Sequence, residues 1–432
     1  MTDASFASRR AALDLLEAVL QRHQPLDDAL ETHPGLKGLE PRDRGFTRLL
    51  TATVLRRLGQ IDSVIEGFLE KPLPAKAATA QDLLRIGTAQ LLFLGTPPHA
   101  AVATAVTLAE RRRMLPYKGL INAVLRKISA AGPESLLAGK PAGPYNTPAW
   151  LWDSWAAAYG EPAAAAIAEA HAEEPPLDLT PKADAATWAN TLEARLLPTG
   201  TLRRALGGPV SELPGFAEGA WWVQDAAAAL PARLLGDVAG RRVADLCAAP
   251  GGKTAQLCAA GADVVAVDRN PKRLERLKAN LARLGLTAET VAADAAAWEP
   301  EGRFDAVLLD APCSATGTIR RHPDVPHLKD PDDLPKLTAL QDRLLRRAVD
   351  LLEPGGVMVY CTCSLQPEEG EQRIAALLAG DAPVRRSPIR AEEVGGLGEV
   401  LNEAGELRSL PSHLSELGGI DGFFAARLVK AG

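Results

Sequence analysis

Two thiols in short polar segments, each directly after an apolar run, are the residues best placed in this chain for covalent chemistry. Cys313 lies in Leu309-Asp310-Ala311-Pro312-Cys313-Ser314, and Cys363, fifty positions later, in Tyr360-Cys361-Thr362-Cys363-Ser364. The preceding runs, Ala306-Val307-Leu308-Leu309 and Val357-Met358-Val359-Tyr360, read as buried parallel strands. Open α/β sheets gather their ligands at the carboxyl ends of such strands. A cysteine thiolate is a strong nucleophile at modest cost in pKa, so thiols at those ends are candidates for nucleophilic catalysis. Asp310 stands between the first strand and Cys313 and supplies an acid within reach of the same place.

A second chemical element precedes them. Asp245-Leu246-Cys247-Ala248-Ala249-Pro250-Gly251-Gly252-Lys253-Thr254 joins a short apolar strand to a helix. Its glycines let backbone amides approach a ligand and open the helix toward it. It is not a Walker loop, because the position that needs glycine is Cys247, and it lacks the G-x-G-x-x-G spacing of a dinucleotide site. The acids that follow suit an adenosyl ligand. Asp268, seventeen residues after Gly251, ends the next strand and can accept both ribose hydroxyls, and Asp294 is placed to accept from an adenine amino group. The bland alternative for Asp268 is an N-cap for the helix from Pro271.

Those motifs need a sheet to carry them. From Arg242 the chain alternates strand and helix: Val243 to Leu246, Thr254 to Ala260, Val264 to Val267, Pro271 to Leu284, Thr290-Val291, which predicts a doubly wound parallel sheet. A late strand, Asp421 to Leu428, is expected in an antiparallel hairpin at the sheet edge. Residues 1–140 instead show apolar residues at three- and four-residue spacing with Gly/Pro breaks, as in Ala11 to Leu20, Phe46 to Leu58, Asp62 to Leu69, Ala77 to Leu94, Ala100 to Glu110 and Leu120 to Ile128. They predict a small helical bundle. The Pro/Gly-rich passage Gly132 to Pro148 is the expected boundary, and Leu177 to Thr180 and Trp221 to Gln224 are extended pieces of a small mixed subdomain.

At 432 residues the chain is too long for one ordinary core. With 47% hydrophobic and 24% charged residues, no apolar run long enough for a bilayer and no basic-then-apolar leader, it reads as a cytosolic globular protein. Its net charge of −6 is uneven: residues 1–140 hold 19 Lys+Arg against 14 Asp+Glu, a local +5 that leaves −11 elsewhere. That pattern suggests a basic module joined to an acidic one, although solvated helix faces give the same count. The five cysteines (Cys247, Cys258, Cys313, Cys361, Cys363) form neither a disulfide ladder nor zinc knuckles, so reduced thiols and no metal are expected. Cys247, Cys258 and Cys361 read as small packing residues.

Three segments together, Asp245 to Thr254, Asp310-Ala311-Pro312-Cys313-Ser314-Ala315-Thr316-Gly317 and Thr362-Cys363-Ser364-x-x-Pro367-Glu368-Glu369, resemble the RNA cytosine-C5 methyltransferases of the NOL1/NOP2/Sun group. The helical part resembles the antitermination factor NusB, an RNA-binding fold, through Arg42 to Phe46, Leu55-Arg56-Arg57-Leu58, Pro98 to Val102 and Lys118 to Lys127. Such a fusion is similar to the bacterial small-subunit ribosomal RNA members of the group.

The resemblance implies an all-α NusB-like RNA-binding domain (1–140), a small α+β subdomain (145–235) and a Rossmann-like S-adenosylmethionine-dependent methyltransferase domain (236–432). It implies 16S ribosomal RNA as partner, 5-methylcytosine as product, no obligate protein partner and a monomer in the cytoplasm. The cofactor would be held by Cys247, Ala248, Ala249, Pro250, Gly251, Gly252, Lys253, Asp268, Asp294 and Asp310. The residues alone leave open which cysteine does what. The resemblance makes Cys363 the nucleophile that adds to cytosine C6 and Cys313 the group that assists product release, with Asp310 on the N3/N4 edge and Lys253 holding the base or developing charge.

A base attacked at C6 must leave its stack. Arg320, Arg321 and His322, and in the bundle Arg111, Arg112, Arg113, Tyr117 and Lys118, are candidates for phosphates. Gln224-Asp225 matches a family element expected to support the cofactor loop. Where the family usually has Arg-x-Asn, this chain has Lys182-Ala183-Asp184, which keeps the charge and loses the bidentate fork. A transfer-RNA methyltransferase and a catalytically inert ribosome-assembly protein are the competing readings. The intact acid and two cysteines disfavour the second.

Overall fold

A computed structural model describes residues 3–432, which form two compact units. The first runs through Glu174 and takes in Ile319–Asp330, and the second comprises 175–318 with 331–432. The boundary therefore falls at 174/175 and not in the Gly132–Pro148 passage. The helix Leu115–Leu137 does break at Gly132, but Ala142–Asn146, Ala149–Tyr159 and Glu161–Ala172 are three more helices of the first unit. Its core is the shared apolar stripe of the bundle: Leu13 and Leu16 from Asp3–Arg22, Leu50 and Val54 from Pro41–Arg56, Leu83 and Leu84 from Ala78–Leu92, and Val124 and Leu125. Among the described residues no helix is long and apolar enough to cross a membrane.

The second unit opens with strands β1 (Leu177–Pro181), β2 (Arg195–Leu196), β3 (Leu202–Arg204) and β4 (Trp221–Val223), an antiparallel sheet in the order β2-β3-β1-β4. Its centre holds a buried ion pair: both guanidinium nitrogens Nε and Nη2 of Arg203 donate to the carboxylate of Asp178 at 2.7 Å. Arg203 Nη1 donates to the carbonyls of Leu417 and Gly419, tying this sheet to a later loop. Arg203→Ala strands a buried carboxylate, and the expected cost is about 3–5 kcal/mol of stability, read as a lower urea midpoint. A pair that contributed little would leave the midpoint in place.

The larger sheet contains β5 (Arg242–Leu246), β6 (Asp263–Asp268), β7 (Glu289–Ala292), β8 (Phe304–Asp310), β9 (Leu352–Thr362), β10 (Val384–Arg386), β11 (Leu407–Ser409) and β12 (Phe423–Lys430). Its order is β10-β12-β9-β8-β5-β6-β7, with β11 also on β12. Strands β5 to β9 are parallel, and β12 runs antiparallel to β9. The expected late strand is therefore internal and not at the edge: β12 pairs β9 on one side and β10 and β11 on the other. Alternate residues face opposite layers, as a buried sheet demands. Ala244 and Leu246 pack toward Leu334–Leu351 and Glu371–Ala379, while Val243 packs toward Leu230–Arg233 and Gly252–Ala259. Chain order reverses at β5, which has β6 and β8 as neighbours, so the strand ends on both sides of it open onto one crevice.

Candidate active site

The glycine loop leaves β5 at Leu246. Gly251, at φ +100°, starts the helix Gly252–Ala259, and a Cβ there would lie 2.8 Å from Leu277 Cγ, so only glycine suits the position. Asp268, buried at the end of β6, accepts from Ala249 N at 3.2 Å and Asn270 N at 2.9 Å, and pairs with Arg273 at 3.3 Å. The capping alternative for Asp268 fails, because the side chain of Asn270 caps Pro271–Leu284. Asp294 is exposed after β7, its Oδ1 turned to Ala296 N. Gln224 donates to Gln256 Oε1 in the helix after the loop at 2.8 Å, and Asp225 accepts from Ala227 N and Asp421 N. Gln224 thus meets the helix that follows the loop, whereas Asp225 holds backbone at 227 and 421.

Asp245, fully buried behind the loop, accepts from Thr254 Oγ1 at 2.6 Å, while its Oδ1 has no partner. Burial, followed by the negative charges of Asp310 and Asp268, pushes its carboxyl up to about 7 from 3.8, against the Thr254 hydrogen bond and Lys253. The folded state thus holds a proton that the unfolded chain has lost. Its stabilising contribution is full below about pH 3.8 and is lost as pH rises to about 7. Asp245→Asn should gain stability relative to the native chain as pH rises from 4 to about 7.5, by a few kcal/mol at most, in urea titrations at several pH values. A pH-independent difference would contradict this.

Register brings the two thiols together. Asp310 on β8 sits opposite Cys361 on β9, so the segments just beyond both strands emerge side by side. Cys313 Sγ and Cys363 Sγ are 3.5 Å apart, and Gly317 N donates to the Cys363 carbonyl at 2.9 Å. The Cys313 thiol is raised well above its ordinary range, first by its contact with Cys363, then by burial and by Glu369. Lys253 Nζ reaches across to Asp310 Oδ2 at 2.8 Å and lies 5.2 Å from the Phe423 ring centroid. Burial opposes the ammonium charge, but Asp310 and the sulfurs of Cys361 and Cys363 outweigh it, so Lys253 stays protonated. Asp310, a third of its side chain exposed, also accepts from the Cys361 thiol at 3.5 Å.

Cys361 is a core residue whose thiol meets an acid, and the partner of Cys363 is Cys313. The thiol of Cys247 is raised by burial and the surrounding carboxylates, and that of Cys258, donating to Thr287 O, is pushed up to about 12 by burial. Both fit packing roles.

One of the phosphate candidates needs correction. Arg320 is buried in the helical unit and its carbonyl accepts from Arg56 Nη2 at 2.8 Å, while His322 faces Asp27 at 3.4 Å. A guanidinium held inside the core does not meet a phosphate. Arg112 pairs with Asp14 and Glu17, Lys118 with Glu110, and Arg111 lies over the Phe6 ring. Lys182 donates to the Leu284 carbonyl at 2.8 Å and so braces the small sheet against a helix end. Among the described residues no His/Cys/Asp/Glu group is arranged to hold a metal. Sequence reading missed Phe423, which carries no spacing signal, and gave no role to Glu369, although it lies in a quoted motif.

Comparison with known proteins bears on this geometry. Residues 232–429 match the family described as 16S rRNA methyltransferase RsmB/F, and residues 7–130 match the NusB family. The "Ribosomal RNA small subunit methyltransferase B" of Pseudomonas putida is 38% identical over 98% of both chains. The chain belongs to the ribosomal RNA small subunit methyltransferase B family. It is accordingly an rRNA methyltransferase.

Among solved structures, one named PH0851 has a TM-score of 0.77 at 24% identity over 98% of this chain and 99% of its own, a likeness of fold. A "Methyltransferase Homolog Protein" from Pyrococcus horikoshii has a TM-score of 0.54 at 28% identity, covering 64% of this chain and 93% of its own. The crevice suits the adenosyl cofactor of such an enzyme. Asp268 and Asp294 stand at successive strand ends with oxygens suited to ribose hydroxyls and an amino group, and the buried Oδ1 of Asp245 is left without a partner beside the loop.

Proposed function

We propose that the protein methylates C5 of a cytosine in 16S ribosomal RNA through a transient bond from Cys363 Sγ to C6 of the ring. The observation that supports this most is the pair of sulfurs 3.5 Å apart at adjoining strand ends. An acid and an ammonium in contact at 2.8 Å lie beside them.

S-adenosylmethionine is the cofactor and supplies an electrophilic methyl group. Residues 247–253 hold it, with Asp268 on the ribose, Asp294 toward the adenine amino group and Asp310 at the inner end. Cytosine C5 is a weak nucleophile in the aromatic ring. Addition of the Cys363 thiolate at C6 makes the ring enamine-like and C5 nucleophilic toward the methyl group; once C5 carries that group, loss of the C5 proton to water lets the C6–S bond break and returns the thiolate. Asp310 binds the N3/N4 edge, accepting from N4 and, protonated, donating to N3. Lys253 keeps Asp310 in place and puts a positive charge near the Cys363 sulfur. Cys313, held as a neutral thiol against the sulfur that must leave, serves the release step.

The NusB-like bundle acts as an RNA-binding domain, and the enzyme works as a cytoplasmic monomer. Labelled-methyl transfer to total ribosomal and transfer RNA, followed by nucleoside analysis, tests the reading. Label in 5-methylcytosine of 16S RNA is expected. Label in another nucleoside, label only in transfer RNA, or no label at all would overturn it.

A further inference from the structure

The two sulfur-bearing loops converge on a single buried anion. Glu369, in the turn Pro367–Glu369, is fully buried, and its carboxylate collects donors from both loops. Oε1 accepts from Ser314 N at 3.0 Å and from Gln341 Nε2 at 3.0 Å. Oε2 accepts from Ser364 Oγ at 2.6 Å and from Ser314 Oγ. Ser314 and Ser364 are the residues next to Cys313 and Cys363. Gln341 also donates to the Pro312 carbonyl at 2.9 Å, on the other side of Cys313. Every group touching the carboxylate is a neutral donor.

A buried carboxylate without a cation is costly, and an apolar core at this place would be more stable. What the anion gives in return is geometry. Hydroxyl and amide donors from three segments need an acceptor with several lone pairs and no proton of its own, which a carboxylate is and a carboxamide is not. Fully satisfied buried networks of this kind hold one arrangement. Here the arrangement is the approach of two loops that also meet directly, through Gly317 N to the Cys363 carbonyl, Leu365 N to Thr316 Oγ1 at 3.0 Å and the Ser314 and Ser364 hydroxyls at 3.0 Å. The negative charge also helps keep the Cys313 thiol protonated.

We propose that Glu369 is a positioning residue that sets the separation of the Cys313 and Cys363 sulfurs, an inference that rests on the covalent reading above. In the full chain, Glu369→Gln keeps the shape but turns an NH2 toward the serine donors. The expected kcat is about 10²-fold lower, the loss typical of a misplaced reacting group, with KM for RNA and cofactor affinity within about twofold of native. Diamide should also form the Cys313–Cys363 disulfide more slowly in the variant, measured by mass spectrometry without RNA. Glu369→Asp, still an acceptor only, should recover part of both.

Native kcat and native disulfide rate in Glu369→Gln would overturn the proposal, as would a kcat loss matched by equal loss of cofactor binding at an unchanged disulfide rate. Should that variant not fold, Ser314→Ala removes one donor and leaves the anion. It is expected to lower kcat about tenfold at constant KM, and an unchanged kcat would overturn the proposal instead. Failure of the covalent reading shows separately, as absence of a cysteine–RNA adduct in protein with Glu369 intact.

Discussion

Cys363→Ala lowers methyl transfer by at least about 10⁴-fold, the scale on which loss of a covalent nucleophile costs an enzyme, while leaving cofactor affinity unchanged. Without the sulfur, C5 stays part of an intact aromatic ring, and the rest of the site can only hold substrates near one another. Serine at 363 is no substitute, because its hydroxyl is almost wholly protonated at neutral pH and no histidine stands beside it among the described contacts of Cys363. The check is single-turnover transfer of labelled methyl to 16S RNA. A variant within about tenfold of native would mean that C5 is methylated without a cysteine adduct.

Asp310→Asn is expected to lower kcat by about 10²–10⁴-fold, the range for a positioned acid, with a smaller change in KM. Asparagine can accept from N4 but has no acidic proton for N3, and it leaves the Lys253 ammonium facing a neutral amide in a buried place. Lys253→Met should fall in the same direction, since Asp310 would lose its ion-pair partner and the Cys363 sulfur its nearby positive charge. If the two residues act as a unit, the double variant is about as slow as the worse single one, which a double-mutant cycle on kcat measures. Multiplying losses would show that they act apart.

The chemistry was legible where it is written in short stretches of chain. The Asp310-to-Ser314 and Thr362-to-Ser364 segments follow apolar strands, and the glycine loop with Asp268 marks the crevice, so the sheet and the cleft followed from local pattern. Less legible was everything set by contacts between distant segments. That β8 and β9 pair with Asp310 opposite Cys361 decides the 3.5 Å between the sulfurs, and nothing in either strand states the register. The anion under both loops draws on residues 314, 341, 364 and 369, four separate places in the sequence. Arg320 read as a surface charge because its neighbours are polar, yet tertiary packing buries it. The helices from 142 to 172 belong to the first unit although a Pro/Gly-rich passage precedes them, because such a passage resembles a linker even where the chain merely turns and packs again. Strand β12 looked like an edge because terminal strands often are, whereas β10 and β11 close over it.

The central claim is that sulfur 363 bonds to the target base and that sulfur 313 is needed to let it go. Cys313→Ala protein incubated with 16S RNA and S-adenosylmethionine tests both halves at once on a denaturing gel. A protein–RNA species that survives denaturant, and that disappears when Cys363 is also replaced, is the predicted result. An adduct that forms without Cys363, or no adduct from a protein that still methylates, would contradict it.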